Sequence, residues 1–109
     1  MHKLTYNGRE YPVHFGLRAI NQFAKQTGGN FSDVITTSEA ITAIDAIVSL
    51  GALGLNEGAR KEGLDDRYTE DELWEWCDDD PSIVLQIADI FIDSIRPLSD
   101  KLDGLLPKV

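Results

Sequence analysis

The stretch HKLTYNGREYPVHFGLRAINQFAKQTG, residues 2–28, joins a tight β-hairpin to one amphipathic helix with no linker between them. Asn7-Gly8 supplies the two positive φ angles of a type I′ turn, whose twist matches that of paired strands. Pairing outward from the turn sets Tyr6 opposite Arg9, Leu4 opposite Tyr11 and His2 opposite Val13. His2, Leu4, Tyr6, Tyr11, Val13 and Phe15 then share one face; Lys3, Thr5, Glu10, Pro12 and His14 share the other. A lone two-stranded hairpin is marginal in water, so its apolar face needs a cover. Leu17, Ile20, Phe23 and Ala24 are expected to provide it at helical spacing, with Gly28-Gly29 stopping the helix.

Working outward, 109 residues suffice for one domain with one core. The apolar stretches are interrupted by Thr, Asp, Ser and Gly, so no segment is expected to span a bilayer. The His-Lys start followed directly by a hairpin predicts no secretory signal. One cysteine excludes an intrachain disulfide and makes a reducing cytoplasm the default. The net charge of −9 is carried entirely by the second half: residues 1–55 hold four basic and four acidic groups, residues 56–109 six and fifteen. Such a chain repels nucleic-acid phosphates and anionic membrane surfaces and favours basic partners.

Beyond Gly29, residues 30–35 read as a short turn or loop, and Thr36 with Glu39 as a capping box opening a second helix. Ile41, Ile44, Ile47, Val48 and Leu50 follow a helix period, with Ala40, Ala43 and Ala46 allowing a close neighbour. Gly51, Gly54 and Gly58 allow close packing or a helix end, and GARKEGLDD (58–66) reads as a loop. Thr69 and Glu72 form another capping box, with acids in the first turn where the helix dipole favours them. Asp78-Asp79-Asp80-Pro81 separates that helix from the last one, whose stripe is Ile83, Val84, Ile87, Ile90, Phe91 and Ile95. Arg96-Pro97 is expected to end or kink it. The elements are therefore a hairpin at 2–15, helices at 16–28, 37–57, 70–77 and 82–96, and a tail at 97–109. Together they make a single α+β domain, mainly α, with an N-terminal hairpin packed on about four helices.

Chemistry is sparse. Residues 65–80 contain nine carboxylates and one arginine. Calcium binding fits poorly, because Arg67 would enter the cage and Glu70 stands where a loop of this kind needs glycine. A solvated helix face is the plain reading, and a docking surface for a basic partner the sharper one. Trp74 and Trp76 point about 200° apart on a helix. One is expected to fill the core and the other to lie half-exposed under the last helix; alternatively, one anchors a partner. Cys77 is followed by acids, which raise a thiol pKa and disfavour a nucleophile. His2 and His14 fall on opposite hairpin faces, and no CxxC or HxxxH spacing is present, so no metal or other cofactor is expected. No nucleophile elbow or phosphate loop occurs, and the chain reads as a non-enzyme with no catalytic residue.

The order of these elements resembles the phage tail assembly chaperones of long-tailed phages and prophages. The segment Tyr6-Asn7-Gly8-Arg9-Glu10-Tyr11-Pro12-Val13-His14-Phe15-Gly16 is similar to that family's "ING-x-x-Y-x-hydrophobic-x-F-G" opening. Ile47-Val48-Ser49-Leu50-Gly51-Ala52-Leu53 is similar to its helix with a glycine step, and Tyr68-Thr69-Glu70-Asp71-Glu72-Leu73 to its acidic helix start. The resemblance implies a protein that binds the tape-measure protein, keeps it soluble and recruits tail-tube subunits. It would act in the bacterial host cytoplasm and be absent from the mature virion. The tape-measure protein and the tail-tube protein are then the expected partners, with neither nucleic acid nor membrane among them. Self-association stays open, since exposed apolar helix surface pairs readily with copies of itself. Trp74 and Trp76 with Asp71, Glu75, Asp78 and Asp79 are the candidate partner-binding residues, an assignment from the residues and not from the family pattern. The alternative is an acidic inhibitor or DNA mimic of a basic nucleic-acid-binding protein, for which one local cluster is a poor imitation of spaced phosphates.

Overall fold

The computed structural model describes residues 2–26 and 44–105, with side chains as far as Pro97. Strands β1 (His2–Tyr6) and β2 (Arg9–Val13) form an antiparallel hairpin. Its register is the expected one, with Tyr6 opposite Arg9, Leu4 opposite Tyr11 and His2 opposite Val13. Asn7 (φ 54°) and Gly8 (φ 75°) both take positive φ, as the two-residue turn requires. The second strand ends at Val13, two residues short of the expected limit, because the His14 N–H leaves the hairpin and donates to the Gly54 carbonyl at 3.0 Å. Pro12 is tolerated because its position in the ladder aims the missing N–H away from β1.

Helix α1 spans Leu17–Gln26, so the expected glycine stop at 28–29 lies outside the described residues. Its buried side chains are Ala19, Ile20, Phe23 and Ala24. The expectation that α1 covers the hairpin is corrected, however. Leu17 is 61% exposed, α1 lies along α2 (Ile44–Lys61), and α2 itself is the main cover of β2. The physical reason is the absence of a side chain at Gly54 and Gly58, where α2 faces β2. A Cβ on Gly54 would meet Phe15 Cζ at 2.6 Å, and one on Gly58 would collide with the Pro12 carbonyl, so helix and strand touch backbone to backbone.

Helix α2 also runs past the expected end at 57, consuming the first residues of the predicted loop. The stop is Gly63 rather than Gly58. Gly63 (φ +73°) donates to the Arg60 carbonyl at 3.2 Å and Leu64 to the Ala59 carbonyl at 2.8 Å, a Schellman closure that needs the left-handed residue. The Thr36–Glu39 box, the 30–35 segment, Ala40, Ile41 and Ala43 lie outside the described residues. Of the expected apolar positions within α2, Ile47, Val48 and Leu50 are buried, whereas Ile44 is exposed.

Helix α3 (Glu70–Asp79) begins as expected, with Thr69 Oγ1 accepting from the Glu72 N–H at 3.1 Å, and ends two residues later than predicted. Asp80 closes it by donating its N–H to the Trp76 carbonyl (2.8 Å). Asp80 also opens the next helix, its Oδ1 accepting from Ser82 N at 3.1 Å and Ser82 Oγ at 2.7 Å. That final helix, α4 (Ser82–Leu105), passes through Pro97, correcting the end at 96 and the tail from 97 to 105; residues 106–109 lie outside the described residues. Pro97 removes only the bond to the carbonyl of exposed Asp93, which water can replace. Ile83, Ile87, Ile90 and Phe91 of α4 join Leu4, Val13, Phe15, Ile20, Phe23, Val48, Leu50, Leu55 and Leu73 in the core. The architecture is α+β and mainly α, with the hairpin packed against helices.

Where the backbone has no ladder partner, side-chain amides replace one. Gln86 accepts from Thr5 N (2.9 Å) and donates to Thr5 O (3.0 Å), pairing the outer edge of β1 at that residue. Asn56 does the same to Tyr68, holding the loop before α3. Glu57 is buried on α2 between Arg60 (2.7 Å) and Arg18 (3.8 Å). Beside it, His14 is held below the usual imidazole range, chiefly by burial and then by the cations Lys61 and Arg60, against the opposing pull of Glu57. Because the folded pKa is the lower one, the unfolded chain takes up the proton first as pH falls. The contribution of neutral His14 is therefore complete above about pH 6.5 and is lost as pH drops through and below that value. A His14→Gln variant should lose less stability than the parent between pH 7.5 and 5, read from urea midpoints at both pH values.

Candidate partner-binding face

The capped α3 carries all six candidate residues, and helix geometry divides them. Positions 71, 74, 75 and 78 follow i, i+3, i+4, i+7 and lie on one stripe, whereas 76 and 79 turn toward the hairpin. Asp71, Trp74, Glu75 and Asp78 are all exposed, Trp74 at 39%. This stripe presents one large aromatic between carboxylates on a rigid, N-capped element.

Trp76 has a different role. Its ring stacks on Tyr6 with centroids 4.5 Å apart, lies 4.9 Å from Tyr11 and meets Tyr68 edge-on at 5.8 Å. The Tyr6 hydroxyl donates to Asp79 Oδ2 at 3.0 Å, and this bond, ahead of burial and of the carboxylate's charge, raises the Tyr6 pKa. The Arg9 guanidinium sits 5.0 Å above the Tyr11 ring. Trp76 and Asp79 therefore fasten the hairpin to α3. The expectation of one tryptophan in the core and the other half-exposed under the last helix is corrected on both counts: the half-buried Trp76 packs under the hairpin and Trp74 faces solvent, because residues about 200° apart on α3 face hairpin and solvent. Tyr6 and Tyr11 are readable from the sequence as one hairpin face, but their partner on α3 is not, since no spacing links residues 6 and 76.

Cys77 is buried, and its thiol pKa is raised first by that burial and then by Asp78 and Asp80, an inert setting. His2 reaches Asp93 on α4 (3.7 Å) while His14 packs over Gly16 on the other side of the hairpin. Among the described residues no group of three His, Cys, Asp or Glu side chains is placed to hold a metal ion, and no helix is long and apolar enough to cross a membrane.

A second surface is one that sequence reasoning misses. Leu85 (67% exposed) and Ile92 (40%) lie on the outer face of α4, with half-buried Ala88 between them. A signal for it exists: these two residues fall outside the core stripe, so α4 is apolar on more sides than one core can bury.

Comparison with protein-family models, with curated proteins and with solved structures gives no match for this chain.

Proposed function

We propose that this protein is a non-enzymatic assembly chaperone of a long-tailed phage or prophage, which binds the tape-measure protein in the host cytoplasm, keeps it soluble and helps recruit tail-tube subunits. The observation that carries this reading is Trp74, exposed on a well-anchored helix and framed by Asp71, Glu75 and Asp78. An aromatic in such a place contributes contact area at low entropic cost, and the surrounding charges keep the complex in solution. The resemblance of the hairpin opening and the capped acidic helix to that family points the same way.

Co-expression with the tape-measure protein from the same gene neighbourhood tests this. The parent chain should increase the soluble fraction of that protein, and Trp74→Ala should abolish the effect while changing stability by less than about 0.5 kcal/mol. Trp76→Ala should instead lower the unfolding midpoint, because it unfastens the hairpin. If the parent leaves the tape-measure protein insoluble, yet blocks a basic DNA-binding protein at low salt, the chaperone reading fails in favour of the acidic inhibitor.

A further inference from the structure

We propose that Arg18, Arg60 and Lys61, gathered around the buried carboxylate of Glu57, form a binding site for a terminal phosphate. Arg18 comes from α1, and Arg60 and Lys61 from the last turn of α2. The Glu57 side chain is only 9% exposed, with Oε2 accepting from Arg60 Nε at 2.7 Å and Oε1 lying 3.8 Å from Arg18 Nε. A buried carboxylate needs one close, hydrogen-bonded cation, and Arg60 supplies it. Arg18 and Lys61 exceed that need, and among the described residues neither meets any other carboxylate. The ends of both guanidiniums are free to bond a ligand, since Arg60 uses only Nε and Arg18 makes no hydrogen bond. Nor do the carbonyls that end α2 account for the cluster: those of Gly58, Ala59 and Arg60 already accept from Glu62, Leu64 and Gly63. The positive field reaches His14, where Lys61 and Arg60 join burial in lowering the imidazole pKa against the pull of Glu57. This occurs in a chain of net charge −9. Three cations around one carboxylate leave two positive charges to be matched. A phosphate monoester or free phosphate carries about −1.5 to −2 at pH 7, and its tetrahedral oxygens accept from donors approaching on several sides. A carboxylate or a phosphodiester brings a single charge, and a nucleic-acid backbone also meets the repulsion of the acidic second half. Neither the site nor its ligand rests on the chaperone reading, whose candidate residues lie on α3.

The test titrates inorganic phosphate into the full chain at constant ionic strength and about pH 7.5, where the dianion predominates. The arginine Nε–H signals are followed by NMR. Those of Arg18 and Arg60 should shift saturably, and acetate and dimethyl phosphate should bind at least about tenfold more weakly. The double variant Arg18→Gln/Lys61→Gln alters two exposed side chains and leaves Arg60 in place to neutralise Glu57. It should keep the parent's unfolding midpoint and bind phosphate at least about tenfold more weakly. Lys25→Gln, which removes one positive charge elsewhere on α1, should bind as the parent does. Shifts that grow linearly with every anion, chloride included, mean an adventitious ion only and overturn the proposal. Phosphate binding that survives in the double variant overturns it too. So does salt-sensitive self-association of the parent that the double variant abolishes, since that assigns the cluster to the acidic α3 of a second copy. A phosphoserine peptide of otherwise neutral sequence separates the sources of the phosphate. Binding at least about tenfold tighter than inorganic phosphate, and lost on dephosphorylation, supports the site with the phosphate on a polypeptide. Binding no tighter than inorganic phosphate supports it with a small phosphate as ligand, and peptide binding that persists after dephosphorylation overturns it.

Discussion

Gly58→Ala is expected to destabilise the protein by about 2–3 kcal/mol, although alanine is the better helix former by about 1 kcal/mol. The added methyl has one direction to go, into the Pro12 carbonyl, with the Val13 nitrogen 2.8 Å away. Backbone atoms of a paired strand cannot move aside as a side chain does. Either the hairpin lifts from α2, breaking the bond from His14 N to Gly54 O, or α2 shifts and opens the core around Leu50 and Leu55. Gly51→Ala is the control. Its methyl would meet Ile87 Cδ1 at 2.5 Å, the far end of a flexible side chain, so a rotamer change relieves most of the conflict. Urea unfolding of both variants should show a markedly larger drop in midpoint for Gly58→Ala. Equal drops would mean that the approach of α2 to β2 is not the tight contact described above.

Phe91→Ala is expected to cost more, about 3–5 kcal/mol. Its ring is fully buried and edge-on to Phe15 (5.3 Å) and Phe23 (6.0 Å), so it joins the exit of β2, helix α1 and helix α4 at one point. Removing it leaves a cavity bordered by three elements, none of which can close it without moving relative to the others. Against a total stability of order 5–15 kcal/mol for a domain of this size, much of the margin disappears. Phe91→Leu should cost about half as much, since it leaves a smaller void. Thermal and urea unfolding of the two variants, followed by near-UV circular dichroism, will measure the difference. A Phe91→Ala loss below about 1 kcal/mol would contradict the placement of this ring at the centre of the core.

Much of the fold is legible because its signals are local. The hairpin register follows from two turn residues and a period of two, and the start of α3 from Thr69 and Glu72. The departures share one cause. Gly58 and Pro97 signal stops by their own propensities, but Gly58 serves a tertiary contact, and Pro97 costs one bond on an exposed turn. Likewise, the core stripe of α4 is visible as a 3.6-residue period, whereas the exposure of Leu85 and Ile92 depends on which neighbours pack where.

For the candidate site, the composition of α3 is readable and its division is not. That Trp74 and Trp76 point apart is a property of the helix alone, settled by about 100° per residue. Which of them faces the hairpin is settled by contacts between distant parts of the chain, from Tyr6 and Tyr11 to Trp76 and Asp79. The sequence by itself determined the hairpin, the helical segments, the acidic second half and the absence of a familiar catalytic motif, because each depends on neighbours within a few residues. Only the tertiary structure decided that α2 rather than α1 covers the hairpin, that Trp76 is a fastening while Trp74 faces solvent, and that α4 keeps an apolar outer face. These depend on how closely backbones approach and on which surfaces remain after the core is full.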